Sequence, residues 1–323
     1  MGGKMGNYLT AADTFDDWKN DLLSGEPPTF FRIAEHGPLS QVEVGPRLVT
    51  LFGGAPGAGK TAFIMQAVVD ALRLDSSLRA VVCNVEMGPR ALLDRQLSRL
   101  SGVPLTSIRY RSLGEEHADR IDVGLKAIDS IGERLCFVRP PFTLTNVAAT
   151  VDHFAPLNTA DDRLLIVVDY IQRIPIGNRG ESTQADRRGA VDASMTYLRG
   201  FAEAGAAVLV ISSVGRQRDK HGRSSYDSDA MNLASFKESG ELEFGADDAW
   251  ILTQPDESDP TRDLLHLKAR YSERGRMRLR FNGSVQQFEA EDDYEGNTGG
   301  KMLASLQGLW DSTSTTGGTK WTP

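Results

Sequence analysis

Gly54-Ala55-Pro56-Gly57-Ala58-Gly59-Lys60-Thr61 is rich in glycine and ends in an ammonium and a hydroxyl. Those residue types, in that order, suit a chain of phosphates. Glycines let the backbone wrap an anion, and amide N–H groups at the start of a helix point toward it. In this pattern the lysine reaches the β- and γ-phosphates and the threonine hydroxyl ligates magnesium. An apolar run, Leu48 to Phe52, reads as a strand before the loop, and Ala62 to Leu74 reads as a helix after it, which is the context the motif requires. Gly54, Ala55, Pro56, Gly57, Ala58, Gly59, Lys60, Thr61 and Ala62 are therefore the expected contacts of a nucleoside triphosphate, taken to be ATP with Mg2+. Nothing in the chain marks a choice among bases.

A second carboxyl-bearing site fits the first. Leu164 to Val168 is an unbroken apolar run ending in Asp169, the arrangement that holds magnesium opposite a loop threonine. Hydrolysis also needs a group that orients or deprotonates water. Glu86, just after the apolar run Ala80 to Val85, is the candidate. Spacing alone leaves it open whether Glu86 is that base or a surface carboxylate at a strand end.

These residues need a scaffold that brings strand ends together. Strand-like runs (Leu48 to Phe52, Ala80 to Val85, Leu135 to Val138, Leu164 to Val168, Ala207 to Ser212) alternate with helical patterns, as in βαβ units with a largely parallel sheet. Ala249 to Leu252, Leu264 to Ala269 and Met277 to Phe281 follow without helices between them. Asn282-Gly283 is expected to make a tight hairpin turn into Val285 to Phe288. The fold class is thus α/β, with a central sheet flanked by helices and a C-terminal antiparallel extension.

Residues 1–43 read as an N-terminal arm, residues 44–290 as one ATPase core and residues 291–323 as an acidic, then Gly/Ser/Thr-rich tail expected to be disordered. Within the arm, Phe15, Trp18, Leu22 and Leu23 fall at helical spacing, so Ala11 to Leu23 is expected to be a short amphipathic helix. Such a helix is marginal alone, so its stripe is expected to dock on its own core or on a neighbouring subunit. With 40% hydrophobic and 25% charged residues over 323 positions, and no long apolar run, a cytoplasmic protein without a membrane segment is expected. Cys83 and Cys136 sit in apolar runs and read as reduced core residues. A net charge of −8 argues against coating nucleic acid by bulk attraction. It leaves room for a local channel, because the stretches Arg216 to Arg223 and Lys268 to Arg280 are basic.

From Val44 to Ala290 the chain resembles the C-terminal, RecA-like motor domain of DnaB-type replicative helicases. Five stretches carry the resemblance: the loop Gly54 to Thr61, Asn84-Val85-Glu86-Met87, Asp169-Tyr170-Ile171-Gln172, Phe236-Lys237-Glu238-Ser239-Gly240 with Ala246-Asp247, and Lys268-Ala269-Arg270. The resemblance implies that Glu86 is the catalytic glutamate. It also implies that Lys268 and Arg270 touch the γ-phosphate bound by a neighbouring subunit, and that Lys237, Glu238 and Gly240 grip single-stranded DNA. Arg216 and Arg223 are expected to join that grip as basic loop residues. An arginine supplied in trans works only in an assembly, so a homo-oligomer is expected, and the family implies a hexameric ring.

Two departures matter. The family places Ser-Gln after the strand corresponding to Ala207 to Ile211, where this chain has Ser212-Ser213. The segment before Val44 does not resemble the family's helical collar, which shifts the expectation away from a main replicative helicase. The leading expectation is a helicase or single-stranded-DNA translocase. Alternatives are a regulatory ATPase that switches its assembly or a protein partner, and a recombinase-like filament protein.

Overall fold

In a computed structural model the chain is described for residues 10–25, 29–155, 163–174, 184–215, 217–218, 224–225, 231–236, 240–254 and 259–291. It divides into two units, residues 1–30 and residues 31–323. In the first, helix α1 (Ala11–Ser24) is set by its ends. The Thr10 hydroxyl accepts the Asp13 N–H, the Asp13 carboxylate accepts the Thr10 N–H, and Gly25 closes the helix at φ 73°. The first turn is thus satisfied by a reciprocal pair of bonds, and a left-handed glycine is a common helix stop. Phe15 and Trp18 stand 5.8 Å apart along the expected stripe.

The second unit grows from β1 (Val49–Gly54), whose six residues are all buried. It continues through α2 (Lys60–Leu74), β2 (Leu78–Asn84), α3 (Pro89–Ser101), α4 (Leu105–Arg109), α5 (Ala118–Asp129), β3 (Leu135–Phe137), α6 (Leu144–Phe154), β4 (Arg163–Asp169), α7 (Gln184–Glu203) and β5 (Ala207–Ser213). Two short strands, β6 (Gln217–Arg218) and β7 (Ser224–Ser225), pair with each other. Then follow α8 (Gly240–Gly245), β8 (Asp248–Thr253), β9 (Thr261–Lys268), β10 (Gly275–Asn282) and β11 (Gln287–Ala290).

The main sheet has the order β11-β10-β9-β8-β1-β5-β4-β2-β3. From β8 to β3 every pairing is parallel; from β8 to β11 every pairing is antiparallel. The sequence pattern explains the split. Central strands covered on both faces read as continuous apolar runs, and in β1 Phe52 faces a core layer with α2 while Val49 and Leu51 face a layer with α7. In β10 only Met277 and Leu279 are buried, and Arg278 and Arg280 are exposed, as expected where one face is solvated. The basic residues of this strand have acidic partners: Arg276 and Arg278 pair with Asp263, and Arg280 with Glu291.

Two expectations differ from the structure. Phe31, Ile33, Leu39 and Val42, read as part of the arm, are buried in the α2-side core layer. Their apolar side chains are spaced irregularly, so no period marks them. The β10–β11 connection is a four-residue turn over residues 283–286, closed by the Asn282 side-chain oxygen accepting the Ser284 N–H and carrying Gln286 at φ 58°. Val285 is buried in that turn instead of starting a strand. The Asn side chain bonding two residues on mimics a backbone turn and lengthens the loop. The expected tail beyond Glu291 lies outside the described residues. Among the described residues no helix is long and apolar enough to cross a membrane.

Candidate active site

Parallel strands β1, β2, β4 and β5 all deliver their C-terminal ends to one edge of the sheet, the edge where open α/β sheets bind ligands. At the exit of β1 the chain turns through Pro56 and Gly57 and enters α2 at Lys60. Backbone crowding dictates the glycines. A Cβ on Gly54 would stand 2.6 Å from the Leu252 carbonyl oxygen, and Gly59 sits at φ 98° with a would-be Cβ 2.8 Å from the Phe288 ring. No side chain fits at either position without moving its neighbours. From beneath, buried Arg262 donates to the Ala58 carbonyl at 3.3 Å.

The Lys60 ammonium folds back onto the loop and donates to the carbonyls of Gly54 and Ala55, each at 2.9 Å. Burial pushes its pKa down, against the pull of Asp169 and Glu86, because desolvation disfavours the charged form. The Thr61 hydroxyl donates to Asp169 Oδ2 at 2.8 Å, and Asn84 Nδ2 donates to the same oxygen at 2.7 Å. Burial raises the Asp169 carboxyl and the charge of Glu86 raises it further, while hydrogen bonds from Thr61 and Asn84 and the charge of Lys60 lower it. A buried carboxylate beside a second one and a hydroxyl is an oxygen set short of positive charge, which fits a hard divalent cation. The loop amides and Lys60 fit a polyphosphate by the same donor chemistry.

Asn84 has no role that its sequence context announces. Its carbonyl oxygen accepts the N–H groups of Glu86 at 3.0 Å and Met87 at 2.8 Å, while its amide holds Asp169. One side chain thus fixes the turn that carries Glu86 relative to the carboxylate on β4. Glu86 is exposed and lines the same cavity of about 540 Å³ as Lys60, Thr61 and Asp169. Arg95 of α3, Tyr170, Phe281 and Gln286 close its other sides. Arg95, Phe281 and Gln286 were not anticipated, since only the fold brings α3 and the β10–β11 hairpin beside the loop.

At the end of β5, Ser213 lines the cavity. The Gln172 amide donates to the Ser212 hydroxyl at 2.6 Å, and its carbonyl oxygen accepts the Ser213 N–H at 3.2 Å. A glutamine side chain therefore reaches this position from the neighbouring strand end.

Lys268 and Arg270 stand elsewhere. β9 runs antiparallel to β8, and Lys268 is in register with Ala249 at the start of β8, whereas Leu252 is in register with Gly54. Both cations therefore sit at the opposite edge of the sheet from the phosphate loop. Lys237, Glu238, Arg216 and Arg223 lie outside the described residues, and Gly240 opens α8.

A glycine loop capping a helix at the exit of a parallel strand, faced by a strand-end carboxylate, defines a P-loop nucleotide-binding protein with a RecA-like α/β core. Residues 45–290 match the model for the DnaB-like helicase C terminal domain, and the chain belongs to that family. Membership supports a replicative-helicase-like ATPase. The structure is similar to a solved ATPase domain, with a TM-score of 0.71 at 18% identity, covering 87% of this chain and 99% of that one. It is also similar to a DnaB-like replicative helicase whose structure was described together with its interactions with primase, with a TM-score of 0.69 at 18% identity, covering 88% of this chain and 67% of that one. At these identities the likeness shows the fold. No curated protein is significantly similar to the chain in sequence.

Proposed function

We propose that this chain hydrolyses ATP at the interfaces of a hexameric ring and uses the cycle to unwind duplex DNA or to move along single-stranded DNA. One observation carries the reading. Glu86, Lys60, Thr61 and Asp169 line a single cavity, while Arg270 lies at the far edge of the same sheet. The six residues of β1 alone span about 17 Å, so Arg270 serves a nucleotide only if that nucleotide is held by another copy.

In this mechanism the loop amides and Lys60 hold the β- and γ-phosphates in line for attack, which is most of what phosphoryl transfer asks of a protein. Thr61 and Asp169 would hold magnesium, which would supply positive charge to neutralise the phosphate oxygens. Glu86, exposed to the cavity on a turn fixed by Asn84, orients the attacking water and accepts its proton. Arg270 of a neighbouring copy adds positive charge where negative charge grows in the transition state. Lys237, Glu238 and Gly240, with Arg216 and Arg223, grip DNA phosphates, which gives little sequence preference and strong salt dependence.

A second reading has its own observation. The chain carries Ser213 where the family carries a glutamine, so nucleotide state is free to drive assembly or a protein partner without translocation. The ATPase rate with and without single-stranded DNA at low salt, measured together with the mass of the assembly, separates the two. The motor predicts a stimulated rate and a closed ring. A rate indifferent to DNA, with a partner retained only in the ATP state, replaces it with the switch.

A further inference from the structure

The side chain of Arg270 is about half exposed at 49%, yet it is not loose. Its Nη1 is ion-paired with Asp247 Oδ1. Asp247 is wholly buried at the junction of α8 and β8, and it is fixed on every side. Its Oδ2 accepts the Val49 N–H at 2.8 Å, its own N–H donates to the Val49 carbonyl at 2.8 Å, and Arg199 of α7 donates to both carboxylate oxygens at 2.6 and 3.1 Å. Burial alone would raise this carboxyl, but Arg199, the Val49 N–H and the Arg270 charge hold it below the ordinary range. The strand end is pinned as well, since the Lys268 ammonium donates to the carbonyls of Glu243 and Ala246 at 2.6 and 2.7 Å.

A guanidinium has five N–H donors in one plane. Asp247 engages one of its nitrogens, and among the described residues the other edge meets no partner, which leaves it open to phosphate oxygens. A long side chain otherwise loses rotamer freedom when it reaches into a neighbour's site, and prior fixation removes part of that loss. We propose that Asp247 is a positioning residue for Arg270, a buried carboxylate at the start of β8 that clamps one edge of the guanidinium so that the other faces a triphosphate held by the next copy. Lys268 takes no part in phosphate contact in this arrangement; its hydrogen bonds to the Glu243 and Ala246 carbonyls anchor the strand that Arg270 extends. The inference rests on the reading of Arg270 as a residue acting in trans.

The test uses the full-length chain in its assembled form. Asp247→Asn keeps the shape and removes the charge. It is expected to lower kcat at least ~10-fold with KM for ATP within about twofold, the pattern of an interaction made only in the transition state. Asp247→Glu keeps the charge but shifts the clamp by about 1 Å, a displacement large enough to cost ~10²-fold, and is expected to lose turnover too; a purely structural charge would be satisfied by it. Co-assembly with Lys60→Ala chains, which lack a working loop but keep a clamped Arg270, is expected to raise the rate severalfold above the sum of the two variants alone. The inference is overturned if Arg270→Ala loses turnover while Asp247→Asn and Asp247→Glu keep it, or if co-assembly gives only the sum. Normal turnover by Arg270→Ala removes the trans reading itself and this inference with it.

Discussion

Thr61 and Asp169, separated by 108 positions in the chain, meet through a 2.8 Å hydrogen bond across the ends of α2 and β4. That contact exists only because β1 and β4 lie on either side of β5 in one parallel sheet. It brings together a hydroxyl and a buried carboxylate, an oxygen pair of the kind magnesium selects.

Asp169→Asn should therefore weaken the response to magnesium. The amide keeps the hydrogen bonds but not the charge, so ATPase activity should fall at least ~10²-fold. A magnesium titration of the variant should require a higher concentration for half-maximal rate. An unchanged titration curve would separate Asp169 from the metal.

Glu86→Gln should retain nucleotide binding and lose turnover by at least ~10²-fold, because water orientation and proton transfer are used only during reaction. Asn84→Ala releases the turn that carries Glu86 and frees one contact on Asp169, so a loss of ~10-fold in kcat is expected with binding kept. Single-turnover kinetics beside analogue binding checks both. Equal losses in binding and rate would make Asn84 merely structural.

What the sequence makes legible here is what depends on short windows. The glycine loop, the apolar runs of β1, β2, β4 and β5 and the carboxylate ending β4 each declare themselves within about ten residues, because strand burial and anion binding impose local patterns. Contacts made by tertiary packing do not. Asn84 reaches Asp169 across 85 positions, Arg262 reaches Ala58 across 204, and Gln66 bonds the backbone of Phe288 across 222. None of these polar residues stands in a pattern that names its partner. The packing of Phe31 to Val42 escaped for a related reason, since an irregular segment covering a core has no period.

The Gln66 contact makes a stability prediction. Its side-chain amide donates to the Phe288 carbonyl and its oxygen accepts the Phe288 N–H, both at 2.8 Å and both buried. Gln66→Leu leaves two backbone groups of edge strand β11 without partners, which should cost about 2–4 kcal/mol. Urea denaturation measures it. A loss below about 0.5 kcal/mol would mean that β11 finds other partners.

Stability should also depend on pH through Glu43. Burial raises its carboxyl above the ordinary 4.5, and the nearby Asp248 charge adds to the rise; one oxygen of each of these carboxyl groups is buried without a hydrogen-bond partner among the described residues. A raised native pKa means that the folded chain binds the proton more tightly than the unfolded one. Its contribution is thus fully present below the unfolded value and is lost as pH rises through the native value. Glu43→Gln should be more stable relative to the parent chain at pH 7.5 than at pH 4.5, as read by denaturant midpoints at the two values. The opposite order would contradict this placement of charge.

The most direct measurement is calorimetric titration of the chain with a non-hydrolysable ATP analogue, with and without magnesium. One site per chain is expected, strengthened by magnesium, abolished in Lys60→Ala and weakened at least ~10-fold in Asp169→Asn when magnesium is present. Undiminished binding by Lys60→Ala would contradict the assignment of this loop to the triphosphate, and the proposed mechanism would fall with it.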